Sequence, residues 1–266
     1  MAKELTGIEP LLPIIRQRPL GVMSDIDGTL APIVARPEKA TVPEPVRSLL
    51  RELLAKGVRV AAITGRPLET ARRMVGVEGV AYATDHGLTL WVEGKRESAP
   101  GLAEYEPLAL ATERELADLA GSAPGVQIEN TGALLAVHYR NAVEPEGARE
   151  AILAAIERSE AARRFEVREG RMVVELRPPI AADKGTALAA LTERLGLAAA
   201  VCLGDDVTDI DMFRAAVALR GVEAVTVAVA SAEAAPEVMG AADYWIAPEG
   251  VEWLLGEIAQ ALDAGG

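Results

Sequence analysis

Near its start the chain runs Leu20-Gly21-Val22-Met23-Ser24-Asp25-Ile26-Asp27-Gly28-Thr29-Leu30, an apolar strand that ends in two carboxylates, a glycine and a hydroxyl. Along an extended chain positions i and i+2 point the same way, so Asp25 and Asp27 aim at one spot. Like charges gathered there need a cation. The apolar residues before them set the pair at the carboxyl end of a buried strand, where open α/β sheets collect their ligands. A strand closing in a plain Asp-Gly turn is spelled the same way. The two readings part only if other segments supply the remaining pieces of a site.

Strand and helix signals alternate around this stretch. Val58–Ile63 and Val80–Thr84 read as strands, and Pro43–Lys56 and Pro67–Met74 as helices. Strands apolar on both sides indicate a parallel sheet covered by helices. The middle of the chain breaks the rhythm. A hairpin-like strand at Gly87–Val92 precedes helices at Glu106–Leu119 and Pro145–Arg158. Strands follow at Val126–Glu129, Ala133–Arg140, Phe165–Arg168 and Met172–Leu176, the last two joined by a turn at Gly170-Arg171. That order predicts a small antiparallel sheet with helices on one face. The parallel rhythm resumes with a helix at Lys184–Leu195, a strand at Ala200–Leu203 and a helix at Val207–Val217. Val225–Val229 and Tyr244–Ile246 are expected as edge strands, with Val251–Leu262 as the closing helix. The expected class is α/β: a Rossmann-like parallel-sheet core from residues 1–99 and 179–266, with residues 100–178 inserted as a smaller α+β domain.

With 266 residues the chain can bury a substantial core as one large domain or two modest ones. Half the residues are apolar but only 3% are aromatic, so base stacking is not suggested. A net charge of −13 repels nucleic-acid backbones and anionic membranes, and an anionic substrate needs a local positive site. The lone cysteine, Cys202, excludes an intrachain disulfide and reads as a buried thiol. Lys3, Glu4, Glu9, Pro10 and Pro13 lack the order of a signal peptide, and no apolar stretch approaches membrane-spanning length. A cytoplasmic location is the expectation.

Three further segments complete the pattern. Thr64-Gly65-Arg66 follows the second strand, Lys184 opens a helix just past the insertion, and Gly204-Asp205-Asp206-Val207-Thr208-Asp209 follows the strand holding Cys202. Each alone is an ordinary helix cap or first turn. Together, at strand and helix ends of one sheet, they suit phosphoryl transfer through a carboxylate nucleophile, provided the phosphate charge is neutralised. Mg²⁺ takes oxygen ligands, and Asp25, Asp205 and a carbonyl at Asp27 satisfy it. Thr64 and the N–H groups of Gly28, Thr29 and Gly65 would hold phosphate oxygens, beside the point charge of Lys184. Asp27 is then left to protonate the leaving alkoxide and later activate water.

These segments resemble, in order, the four motifs of the haloacid dehalogenase-like (HAD) phosphatases, with the insertion where the α/β-capped class carries its cap. The wording is similar to the trehalose-6-phosphate phosphatases within that superfamily. The resembling runs are Asp85-His86-Gly87, Glu129-Asn130-Thr131-Gly132, Val137-His138-Tyr139-Arg140, Val174-Glu175-Leu176-Arg177-Pro178 and Asp183-Lys184-Gly185. The resemblance implies Asp25 as nucleophile, Asp27 as general acid/base and Thr64 and Lys184 as phosphate ligands. It implies Asp25, Asp27 and Asp205 as the Mg²⁺ site, supported by Asp206 and Asp209. Arg66 joins the substrate contacts of its loop and His86 becomes a substrate neighbour. Glu129, Asn130, His138, Arg140 and Glu175 match positions for sugar hydroxyls, although alternating polar residues on an open sheet face would look the same. Thr131 stands where the family tends to place a lysine. The implied substrate is trehalose 6-phosphate, made by a separate synthase. Sucrose phosphate, a mannosyl-3-phosphoglycerate, a hexose phosphate, or a non-catalytic sugar-phosphate sensor are the alternatives.

Overall fold

The computed structural model describes residues 2–34, 36–122, 124–170, 172–230 and 236–263. The chain divides into two compact units, one formed by Met1–Glu97 with Ala182–Gly266, the other by Ser98–Ala181.

The larger unit is built on a nine-stranded sheet. Its strands are β1 (Lys3–Glu4), β2 (Leu20–Ser24), β3 (Arg59–Ile63), β4 (Ala81–Thr84), β5 (Thr89–Val92) and β6 (Lys95–Ser98). The smaller unit supplies β7 (Gln127–Asn130), β8 (Leu135–His138), β9 (Glu166–Gly170) and β10 (Val173–Arg177). The large sheet is completed by β11 (Ala199–Gly204), β12 (Glu223–Val229) and β13 (Tyr244–Ile246). Its spatial order is β1-β13-β12-β11-β2-β3-β4-β5-β6. From β1 to β4 every pairing is parallel, and β5 turns back antiparallel on β4.

This order answers a question of direction. After β2 the chain moves one way, to β3 and β4, and after the second unit it returns on the other side, to β11, β12 and β13. β2 therefore lies at the switch point, where neighbouring connections leave on opposite faces and open a crevice at the strand ends. One face is covered by α1 (Leu12–Ile15), α2 (Glu44–Ala55) and α3 (Leu68–Val75), whose Ile15, Leu50, Leu53 and Met74 pack against Val22, Val60 and Val201. The alternate residues Met23, Ala61 and Cys202 face the opposite layer.

In the smaller unit α4 (Tyr105–Ser122) and α5 (Pro145–Arg158) cover one face of an antiparallel sheet ordered β7-β8-β10-β9. Leu135, Val137, Val174 and Leu176 are buried with Ala109, Leu116 and Ile152, and Tyr105 meets Phe165 edge-on at 5.3 Å. Arg171, half of the expected turn between β9 and β10, lies outside the described residues. The second face of the large sheet is covered by α6 (Lys184–Arg194), α7 (Asp209–Ala218) and α8 (Pro236–Ala241), with Phe213 fully buried among them, and α9 (Gly250–Asp263) returns to the first face.

Two expectations need correction. β12 and β13 are interior strands, because Lys3–Glu4 adds a parallel strand beyond Tyr244–Ile246 and β12 lies between β11 and β13. The helix expected from Val207 begins at Asp209, whose carboxylate binds the backbone ahead of it. Among the described residues no helix is long and apolar enough to cross a membrane.

Candidate active site

Four parallel neighbours, β11, β2, β3 and β4, end side by side, and the loops leaving them carry the predicted motifs. Asp25 follows β2, with its N–H donating to the Leu203 carbonyl of β11 at 3.0 Å. Thr64 follows β3 and donates its N–H to Ala83 of β4 at 2.9 Å. Asp85 and His86 follow β4 in the left-handed region, at φ 54° and 56°, and their N–H groups donate to the carbonyls of Arg66 and Thr64, both at 3.2 Å. Backbone contacts thus fix the Thr64–Arg66 loop against its neighbour. Gly65 allows a close approach there: a Cβ on it would lie 2.5 Å from the His86 ring.

Lys184 is delivered by a helix start. Asp183 caps α6 in a reciprocal box: the Thr186 N–H donates to Asp183 Oδ1 at 2.7 Å, and the Asp183 N–H donates to Thr186 Oγ1 at 2.9 Å. The Lys184 side chain reaches inward and donates to Asp25 Oδ1 and to Asp209 Oδ1, each at 2.7 Å. Asp209, fully buried in the first turn of α7, accepts on its other oxygen from the N–H groups of Asp205 and Asp206, both at 3.0 Å. Thr29 Oγ1 donates to Asp205 Oδ1 at 3.0 Å.

Three buried carboxylates, Asp25, Asp205 and Asp209, therefore converge, each with an oxygen within 4.8 Å of the others, around one buried ammonium. Their charges are felt. Burial pushes the Asp25 carboxyl up to about 8, opposed by Lys184 and reinforced by Asp209 and Asp205. Asp205 is pushed up to about 7 by burial and by Asp209, against its bond from Thr29. Burial works to lower Lys184, but the attraction of Asp25 and Asp209 outweighs it and holds the ammonium above its ordinary range. A surplus of carboxylate oxygens over cations in a dry site is the donor set that a hard divalent ion satisfies. Asp209 already accepts bonds on both oxygens, so Asp25 and Asp205 are the groups fitted to hold such an ion, with Asp209 adding charge and bracing the loop.

The structure sorts the predicted residues. Asp25, Thr29, Lys184, Asp205 and Asp209 come together, with Thr64 buried in the adjoining loop. The third acid in the cluster is Asp209 and not Asp27, whose side chain turns to Arg66. Arg66 Nε donates to Asp27 Oδ2 at 2.9 Å and Nη2 to Oδ1 at 2.7 Å, a two-pronged clasp. Gly28 does not aim its N–H at a phosphate, because that N–H donates to the Ala31 carbonyl at 2.8 Å. Its value is space: at φ 90° a Cβ would stand 2.0 Å from Asp205 Oδ2.

In the smaller unit, strand alternation puts Glu129, His138 and Glu175 on the face away from the helices. Glu129 and Glu175 both register with Ala136, and His138 Nε2 lies 3.4 Å from Glu129 Oε2. Glu175 accepts from Arg177 Nε at 2.9 Å. Asn130 differs from them. Its amide donates to Glu113 at 2.8 Å and its oxygen accepts from the Gly132 N–H at 2.9 Å, so it braces the β7–β8 turn. Arg140 lies exposed just past β8. Asp85, quoted from the sequence only within a resembling run and given no role there, is buried and left-handed and ties two site loops together, in a backbone region that Asp tolerates.

The family model described as trehalose-phosphatase matches residues 23–245, which include every motif above. This chain belongs to the trehalose-phosphatase family. It is 37% identical over 201 residues to the trehalose-phosphate phosphatase of Mycobacterium avium, covering 73% of this chain and 50% of that protein. It is also 39% identical over 203 residues to an uncharacterized glycosyl hydrolase of Mycobacterium tuberculosis, covering 73% of this chain and 15% of that protein. The chain thus spans half or less of the length of these two relatives. Among solved structures, the Aspergillus fumigatus trehalose-6-phosphate phosphatase superposes with a TM-score of 0.65 at 27% identity, covering 99% of this chain and 100% of that one. The C-terminal domain of the Candida albicans enzyme gives 0.72 at 23% identity, covering 98% of each, a likeness of fold. The fold is that of the HAD-like phosphatases, and the expected family and fold class both hold.

Proposed function

We propose that this chain hydrolyses trehalose 6-phosphate to trehalose and phosphate through a phosphorylated Asp25. The observation that carries the reading is the buried Asp25 carboxylate at a strand end, 2.7 Å from Lys184 and grouped with Asp205 and Asp209. In the first step an Asp25 oxygen attacks phosphorus, the bond from phosphorus to the sugar oxygen breaks, and that oxygen takes its electron pair and a proton from Asp27. In the second step water attacks phosphorus, its proton passes to Asp27, and the bond to Asp25 breaks, restoring the carboxylate. Lys184 and Thr64 orient the phosphate oxygens. Asp25 and Asp205 would hold Mg²⁺, which when bound would supply positive charge against the repulsion between the phosphate dianion and the carboxylate. Recognition of the sugar hydroxyls is assigned to Glu129, His138 and Glu175 on the open face of the smaller sheet, and supply of the substrate to a separate synthase.

The test is phosphate release with Mg²⁺ from a panel of trehalose 6-phosphate, sucrose phosphate, a mannosyl-3-phosphoglycerate and glucose 6-phosphate. Trehalose 6-phosphate is expected to be preferred at least about tenfold, a difference worth ~1.4 kcal/mol in the transition state. Asp25→Asn should drop turnover below about one-thousandth while the thermal unfolding profile stays cooperative. Equal rates across the panel would remove the substrate, and a turning-over Asp25→Asn would end the mechanism.

A further inference from the structure

The two acids at the end of β2 have separate cationic partners. Asp25 shares Lys184 with Asp209, whereas Asp27 is held by Arg66 through both oxygens, at 2.9 and 2.7 Å. A lysine ammonium is a point charge that can attend to several anions, but a guanidinium presents a rigid planar fork that fixes the rotation of one carboxylate. The backbone that carries the fork is itself anchored. The Arg66 N–H donates to Thr64 Oγ1 at 3.1 Å and its carbonyl accepts from the Asp85 N–H at 3.2 Å. As a stabilising surface ion pair the contact counts for little, since both side chains are about a quarter to a third exposed (26% and 33%). Its location is what distinguishes it. The arginine comes from the loop after β3, 39 residues along the chain, and lands on the one acid of this strand end that stays outside the buried cluster.

We propose that Arg66 is a positioning residue for Asp27: it locks the carboxylate in the rotation needed to hand a proton to the leaving sugar oxygen, and does not grip the phosphate. This rests on the reading of Asp27 as proton donor. One lone-pair site on each Asp27 oxygen is taken by the fork, which leaves the outer ones for the leaving oxygen in the first step and for water in the second.

The test varies the leaving group. kcat/KM runs only to departure of the alcohol, so it reports proton donation without the later hydrolysis of the phosphorylated Asp25. Trehalose 6-phosphate leaves as a poor alkoxide that needs the proton, whereas p-nitrophenyl phosphate leaves without one. For Arg66→Gln and Arg66→Lys, kcat/KM for the sugar ester is expected to fall about 100-fold, at the low end of what general acid catalysis supplies, and the aryl ester to lose far less. The aryl-to-sugar ratio should then rise at least about tenfold in both variants, because the lysine keeps the charge and loses the fork. Inhibition by inorganic phosphate should stay within about threefold, under ~0.7 kcal/mol of phosphate binding. Equal losses on both esters with weakened inhibition by phosphate would make Arg66 a phosphate ligand and overturn the proposal, and so would a lysine variant that behaves as wild type. Asp27→Asn is the reference. If it fails to raise the same ratio, the reading of Asp27 is at fault; if it raises the ratio and the Arg66 variants do not, only the role of Arg66 falls.

Discussion

Raising the pH of the metal-free protein should destabilise it, against the usual trend for a protein held by paired carboxylates. Asp25 and Asp205 each start from an ordinary value of 3.8 and are pushed up in the folded protein to about 8 and about 7. Between those limits the folded state binds protons that the unfolded chain has released, so unfolding becomes easier as pH rises. Each such proton costs about 1.4 kcal/mol per pH unit. Two protons held over the two units from pH 5.5 to 7.5 give a ceiling of roughly 5.5 kcal/mol. Asp205 titrates inside that window and gives up a little under ~1 kcal/mol of its share, so a loss of about 4 kcal/mol is the working figure. In a chain of this size that lowers Tm by about 8–16 °C. Lys184 stays charged throughout and adds no slope. The assay is thermal unfolding in chelator at a series of pH values for the wild type and Asp25→Asn, which should lose about half the slope. Saturating Mg²⁺ should restore Tm far more at pH 7.5 than at 5.5, because it favours the ionised ligands. A wild-type Tm that rises with pH, or a slope that Asp25→Asn leaves untouched, would show that the three acids do not share a dry site.

Other substitutions follow from the same geometry. Gly28→Ala puts a methyl 2.0 Å from Asp205 Oδ2 at a φ of 90°, so it should cost about 2–4 kcal/mol and weaken Mg²⁺ binding by calorimetry; an unchanged titration would refute the crowding. Gly65→Ala should displace His86 and cost about 1–2 kcal/mol by urea denaturation. Adding His86→Ala should recover most of that loss, and strictly additive losses would show that the ring is not what the methyl meets. Phe213→Ala, in a fully buried position between α7 and its neighbours, should cost about 3–5 kcal/mol, measured by the same denaturation.

What could be read from the sequence was what has a period or a fixed local spelling. β2, β3, β11 and the helices between them announce themselves because buried parallel strands are continuous apolar runs and their helices carry capping residues such as Asp183. β1 escaped notice because two exposed residues, Lys3 and Glu4, have no pattern, and its absence made β13 look like an edge. β6 escaped for a similar reason: Lys95–Ser98 is exposed at every position, and only Glu93-Gly94, both left-handed, mark the hairpin that forms it. In the site, the motif residues were legible from their local spelling, but their pairings were not. Which acid meets Lys184 and which meets Arg66 is settled by side chains far apart along the chain, and no local periodicity encodes that choice. The step from Asp205 to Asp209 puts both acids at the start of one helix, yet only the fold shows that the second turns back to bind the first residue's N–H.

The chain leaves the larger unit after Glu97 and rejoins it at Ala182, one residue before the cap that launches Lys184. Every member of the buried cluster, and the Asp183–Thr186 box that mounts its ammonium, is therefore encoded outside residues 98–181. The intervening stretch is a cassette in the genetic sense. It can be lengthened, exchanged or redesigned by recombination at two junctions without rewriting a single codon of the charge cluster.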